Sequence, residues 1–240
     1  MNIAVFTSIA PRHIALCNAL ARLGTLFVVQ EKPSPRTPSP VMEHYWQHVN
    51  NAQDTVFGDP QLDIHGLSAT IPMGTVNSAA APVIDLLGDI DAVVVFGSSW
   101  IKGPLLKWCM DRNAINIHAG HSPYYRGTAT NFWALYDGSP DHVACTVHKL
   151  TAGLDSGPIL GIAKPEKVLD PWLLGMRAVE AGIKLAVEII ENGEYVHAGV
   201  PQDGSKQIRY SRGADFTDAI AEEYMERLGV RYSFPVRQTD

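Results

Sequence analysis

Three side chains in this chain have the types and spacing of a site that processes a carbonyl group. Asn116 and His118 lie in the run Asn116-Ile117-His118-Ala119-Gly120-His121-Ser122-Pro123-Tyr124-Tyr125-Arg126-Gly127, and Asp155 lies in Gly153-Leu154-Asp155-Ser156-Gly157-Pro158. An amide can donate to a carbonyl oxygen, an imidazole can carry a proton near neutral pH, and a carboxylate can orient the imidazole. No signature of an activated Ser or Cys accompanies them, so the pattern points to acyl transfer without a covalent enzyme intermediate. Alternation along a strand puts Asn116 and His118 on one side, where both can face a single carbonyl. Each residue also has a plainer reading. His118 alone suits a core or surface imidazole, and Asp155 suits a turn before Ser156-Gly157.

The elements that must position these groups alternate between strand and helix. Ile3–Thr7 is a short apolar run; Arg12–Leu23 carries Ile14, Leu16, Ala19, Leu20 and Leu23 at helical spacing, and Gly24 stops it. Leu26–Val29, Ala92–Phe96 and Ala114–Ile117 read as buried strands, with a helix from about Gly103 to Asp111 between the last two. Strand–helix–strand alternation predicts an α/β fold with a doubly wound, mostly parallel sheet, in which ligands bind beyond the carboxyl ends of the strands. Ser98 and His118 both fall there. The proline-rich stretch Lys32–Pro40 reads as an extended surface loop, followed by a helix from about Met42 to Phe57. Leu173–Asn192 is an amphipathic helix ended by Gly193; Pro201–Gly213 reads as loop and hairpin, and Phe216, Ile220, Tyr224 and Leu228 mark a last helix.

Composition narrows the function classes. A chain of 240 residues can bury one substantial core, and 46% hydrophobic with 18% charged residues is ordinary for a globular protein. The formal net charge of −6 argues against a nucleic-acid surface. Cys17, Cys109 and Cys145 lack metal or redox spacing and read as reduced core thiols of a cytoplasmic protein. The N-terminal run has no signal-peptide character, and no apolar run approaches bilayer length, so no membrane role is expected. His44 and His48 are four apart, but no third ligand appears and no metal site is expected. Phosphate-binding glycine motifs are missing, which removes the usual nucleoside triphosphate and nicotinamide readings.

The Asn116–Gly127 and Gly153–Pro158 runs resemble the signature of the formyl-tetrahydrofolate-dependent formyltransferases: Asn-x-His, a Pro-aromatic-Arg-Gly loop, then Asp in Asp-(Ser/Thr)-Gly. The similarity is specific from about Asp91 to Ile159. Where that family often has Ser-Leu-Leu-Pro, this chain departs with His121-Ser122-Pro123-Tyr124-Tyr125. The resemblance implies a Rossmann-like formyltransferase domain over residues 1–193, with residues 194–240 as a small C-terminal extension packed on it. It assigns Asn116 as donor to the formyl oxygen, His118 as proton-transfer group and oxyanion stabiliser, and Asp155 as the group that orients His118. It also implies N10-formyltetrahydrofolate as co-substrate, held by Phe96, Gly97, Ser98, Trp100 and Ile101; for Trp100 the plainer reading is core.

Acceptor contacts are expected at Ser8, Arg12 and His13, where a helix N-terminus favours phosphate. Arg126 has a planar fork suited to phosphate or carboxylate, or to a structural ion pair. Tyr124, Tyr125, Asn131 and Trp133 crowd the same stretch and suit either stacking on substrate or the core of the next helix. The short acidic C-terminal part does not suit the larger basic barrel of the methionyl-tRNA enzymes. The proline loop, the aromatic helix and the Ser122–Trp133 variant look most like the sugar N-formyltransferases of lipopolysaccharide O-antigen biosynthesis. That likeness implies a nucleotide-linked amino-deoxy sugar as partner and a chain able to pair as a homodimer. Alternatives are a glycinamide ribonucleotide formyltransferase, a formyl-tetrahydrofolate hydrolase, or an inactive folate- or nucleotide-binding protein.

Overall fold

A computed structural model describes residues 1–35 and 37–230. Arg36 of the proline loop and residues 231–240 of the expected extension lie outside the described residues. A seven-stranded sheet runs β3-β2-β1-β4-β5-β7-β8, built from β1 (Asn2–Ser8), β2 (Thr25–Lys32), β3 (Gly66–Pro72), β4 (Ala92–Phe96), β5 (Ile115–His118), β7 (Cys145–Lys149) and β8 (Ile159–Ala163). β1 to β5 pair in parallel, and β7 and β8 add an antiparallel edge. Chain order reverses between β1 and β4, and such a switch point opens a crevice at the strand ends.

The period-2 alternation of each strand splits the core into two faces. Ile3, Val5, Val94, Ile115, Ile117 and Val147 pack with helices α1 (Pro11–Ala21) and α6 (Pro171–Glu191). Ala4, Phe6, Val93 and Val95 pack on the other side, against α4 (Gly103–Met110) and the end of α3 (Ala80–Leu87). Sending Ile115 and Ile117 to the first face leaves Asn116 and His118 for the opposite one. Helix α6 starts earlier than its apolar pattern predicts. Asp170 caps the Trp172 and Leu173 N–H groups, and Pro171 occupies the first turn, where its missing N–H costs nothing. Gly182 lets this helix press on the sheet, because a Cβ there would lie 2.1 Å from Cys145 Sγ.

A third, aromatic cluster joins α2 (Pro40–Phe57), α5 (Thr130–Tyr136), the start of α6 and α7 (Asp218–Arg227) through Tyr45, Phe132, Trp133, Tyr224 and Met225. The turn-rich region 201–213 does not form the hairpin that its sequence predicts. Its strand β9 (Arg209–Ser211) instead pairs in parallel with β6 (Tyr125–Gly127). A Cβ on Gly127 would lie 2.0 Å from the Ser211 carbonyl oxygen, so this pairing needs glycine at that point.

Candidate active site

β5 carries Asn116 and His118 to the carboxyl end of the sheet, and the loop after β7 returns Asp155 to meet them. Asp155 Oδ2 lies 3.4 Å from His118 Nδ1, and Oδ1 lies 3.5 Å from Asn116 Nδ2. The Gly127 N–H donates to Oδ2 at 3.1 Å and fixes the carboxylate. On its far side, His118 Nε2 is 3.0 Å from the Tyr125 carbonyl. A carbonyl can only accept, so Nε2 carries a proton and Nδ1 is the basic atom of neutral His118. Gly120 is held tightly behind the ring: a Cβ there would come within 2.5 Å of His118 Nε2 and 2.3 Å of Thr130 Oγ1.

A fourth group, His148, lies outside the sequence motif. In the antiparallel register Asn116 faces His148 and His118 faces Thr146. His148 Nδ1 faces the Lys149 carbonyl at 2.8 Å, which leaves Nε2 to accept from Asn116 Nδ2 at 3.1 Å. Its Nε2 also lies 3.8 Å from Asp155 Oδ1. The alternation Cys145-Thr146-Val147-His148 is visible in sequence as a strand with two polar residues on one face. The register that sets His148 opposite Asn116 is not.

Burial is the main force on these ionisations. It holds His118 below the ordinary imidazole value against the upward pull of Asp155 and the Tyr125 carbonyl. Burial alone would raise Asp155, but His118, His148 and the Gly127 N–H outweigh it and hold the carboxyl below its usual range. Near neutral pH the site is a carboxylate beside an imidazole with one open proton position. It can accept a single proton and keep the resulting cation paired.

Two cavities meet at this point. The larger, about 630 Å³, lies at the switch point between the loop after β1, the loop Phe96–Ile101 and residues 150–155. The second, about 350 Å³, is walled by Tyr45, Trp46, Phe132, Trp172 and Tyr224. Arg12, His118, Ala119, Gly127, Thr128 and Ala129 line both.

No protein-family model matches the chain. A methionyl-tRNA formyltransferase of Koribacter versatilis is 36% identical over 151 residues, which cover 58% of this chain and 46% of that protein. The chain thus spans less than half the length of that curated relative. Glycinamide ribonucleotide transformylase 1 from Symbiobacterium toebii superposes with a TM-score of 0.55 at 22% identity, over 84% of this chain and 93% of its own. A formyltransferase from Anoxybacillus kamchatkensis, solved in complex with UDP-4,6-dideoxy-4-formamido-L-AltNAc and tetrahydrofolate, superposes with a TM-score of 0.52 at 16% identity, over 90% and 87%. This chain has the formyltransferase fold.

Within that formyltransferase fold the remaining candidates separate. Phe96, Gly97, Ser98, Trp100 and Ile101 all line the larger cavity. Trp100 is 60% exposed, which rules out its core reading. Glu31, fully buried, accepts from the N–H groups of Gly74, Val76 and Ser99, and so ties this loop to the turn after β3. Ser8, Arg12 and His13 line the same cavity, but two are committed elsewhere. Ser8 donates to the Glu31 carbonyl at 3.0 Å, and His13 Nδ1 bonds Thr7 Oγ1 at 2.9 Å beneath Phe96. Arg12 meets the neutral Gln53 side chain and, among the described residues, no carboxylate.

Four expected substrate contacts need correction, because they line neither cavity. Tyr125 and Trp133 are 0% and 2% exposed and belong to the aromatic core, because β6 and α5 turn them inward. Tyr125 serves the site through its carbonyl, not its ring. Tyr124 packs against His121 and His142 and lines neither cavity. Arg126 also lines neither; it donates to the Leu154 carbonyl at 2.5 Å and to Gln207 Oε1 at 3.3 Å. Asn131 does line the aromatic cavity, with Oδ1 taken by the Ala144 N–H and Nδ2 buried without a partner among the described residues.

The buried imidazoles give a pH dependence of stability with a definite sign. Burial, with Arg12 adding to it, pushes His13 down to about 3; burial, with His142 and Lys164, pushes His121 down to about 4. Unfolded, both return to about 6.5. Between those limits the unfolded chain binds more protons, so stability falls as pH drops below about 6.5, by up to about 2.7 kcal/mol per pH unit for two protons. Denaturant unfolding at about pH 7.5 and about pH 5 measures this. Equal stabilities would mean that both rings titrate normally.

Proposed function

We propose that this protein transfers a formyl group from formyl-tetrahydrofolate to the primary amine of a nucleotide-linked amino-deoxy sugar. The supporting observation is that two cavities converge on His118, whose imidazole faces the Asp155 carboxylate, as a reaction between two bound molecules requires. Holding both reactants in line supplies much of the acceleration. The loop-walled cavity beside Phe96 and Trp100 suits a pterin ring. The aromatic cavity suits the acceptor, with stacking on Trp46 or Trp172.

The amine nitrogen attacks the formyl carbon as a free base. A C–N bond forms to the acceptor, and the bond from the formyl carbon to the folate nitrogen breaks. Asn116 Nδ2 stabilises the negative charge that builds on the carbonyl oxygen, and His118, neutral at the start, adds to that stabilisation once it has become a cation. His118 Nδ1 takes the proton the amine loses, Asp155 balances the cation, and a proton returns to the departing folate nitrogen. The products are the N-formyl amine and tetrahydrofolate.

Arg12 favours a second reading. Among the described residues it is the only Lys or Arg lining either cavity. A single cation suits an acceptor with one phosphate, such as glycinamide ribonucleotide. Incubation with formyl-tetrahydrofolate and separate amino-sugar nucleotides, glycinamide ribonucleotide or buffer alone decides the acceptor. Formyl product with a sugar nucleotide supports the first reading; product only with the ribonucleotide, or tetrahydrofolate released without acceptor, overturns it. Trp46 is 46% exposed, so replacing it costs little stability. Trp46→Ala is expected to raise the acceptor KM about fivefold, the equivalent of one stacking contact, with the folate KM unchanged.

A further inference from the structure

We propose that Gln202, from the segment after α6, is a positioning residue that holds the Asp155 loop in the one backbone shape that aims its carboxylate at His118. The proposal rests on the formyl-transfer reading for what Asp155 does, and it adds the device that keeps Asp155 in place.

Asp155 has a φ of 47°, in the left-handed region that non-glycine residues seldom occupy. Strain of this kind persists only where surrounding contacts over-determine it. Those contacts are present. Gln202 Nε2 donates to the Asp155 carbonyl at 3.0 Å and to the Gly157 carbonyl at 2.8 Å, so both its amide protons are spent on this loop. Arg126 holds the preceding carbonyl, that of Leu154, and reaches Gln207 with its other nitrogen. The Gly127 N–H fixes the side-chain end. Carbonyls 154, 155 and 157 are therefore pinned from one side while the carboxylate is pinned from the other.

The placement of Gln202 follows from the chain around it. Val200 and Ile159 exchange two backbone hydrogen bonds, each 2.7 Å, which lays the segment along the edge strand β8. Two residues later Gln202 lies over residues 155–157. Its Oε1 is buried with no partner among the described residues, so the two donated bonds alone orient the amide. Gly157 closes the other wall, since a Cβ there would lie 1.8 Å from the Lys149 carbonyl oxygen and 3.1 Å from His148 Nδ1. Glutamine suits the position for a specific reason: one nitrogen donates to two carbonyls. A carboxylate in its place would set negative oxygens against them.

Gln202→Leu and Gln202→Glu test this, because both keep the bulk and lose the donors. The expected result is a kcat about tenfold lower with both KM values within about twofold, the pattern of lost transition-state stabilisation. The midpoint of the His118 titration by NMR should also move to lower pH, since Asp155, ahead of the Tyr125 carbonyl, is the neighbour that raises it most, whereas His148 and Arg126 lower it. In an Asp155→Asn background the same substitutions should change nothing further, because coupled groups are non-additive. Unchanged kcat and titration, or an equal loss in the Asp155→Asn background, would overturn the role. The titration needs no substrate. Failure of the formyl-transfer reading, with no product from any amine, is therefore distinguishable from failure of this one.

Discussion

His118→Ala lowers formyl transfer by at least about a hundredfold, the scale of one general acid–base group combined with one oxyanion donor. The fold should survive the change. The ring lies at a strand end, and its polar contacts are the Tyr125 carbonyl and Asp155, both beside the cavities. The loss should therefore fall on kcat. The same geometry sets the pH profile of the intact protein. Burial holds His118 below its ordinary value of 6.5, so kcat/KM stays level through neutral pH and declines only on the acid side of that value, as Nδ1 fills. Steady-state rates between about pH 5 and pH 8 measure this. A decline that begins above about pH 7 would assign the proton to another group.

Gly120→Ala should be nearly as damaging, for a purely steric reason. The added methyl would sit 2.5 Å from His118 Nε2 and 2.3 Å from Thr130 Oγ1, well inside contact distance. Thr130 is anchored to the Ala119 carbonyl, so the imidazole is the part that moves. Displacing a reacting group by about an ångström costs on the order of a hundredfold. The expected result is a large loss of kcat, together with loss of the His118–Tyr125 hydrogen bond detected as a shifted imidazole resonance. Full activity in Gly120→Ala would mean that the loop 119–125 can retreat from His118.

The catalytic centre is readable in sequence because its information is local. Asn116 and His118 alternate on one short strand, and Asp155 sits in a turn-forming run, so residue type and spacing identify them without knowledge of the fold. The buried strand Ala92–Phe96 is equally plain, because an unbroken run of valines suits a strand covered on both faces and little else. What escapes depends on register and long-range pairing. His148 reaches Asn116 only through an antiparallel pairing 32 residues away in sequence. β6 meets β9 in parallel across more than 80 residues, where turn-rich sequence suggests a local hairpin. Tyr125 and Trp133 have chemistry that suits a substrate contact and a core equally well, and packing sends them inward. The aromatic cavity draws on α2, α5, α6 and α7 together, so no single stretch announces it.

Direct observation of the His118 imidazole by NMR titration, in the unaltered protein and in Asp155→Asn, tests the convergence most directly. The expected midpoint lies below 6.5 in the first and lower still in the second, because the substitution removes the charge that raises it. The same midpoint in both proteins would mean that the carboxylate does not face the imidazole, and the proposed proton path would then be wrong.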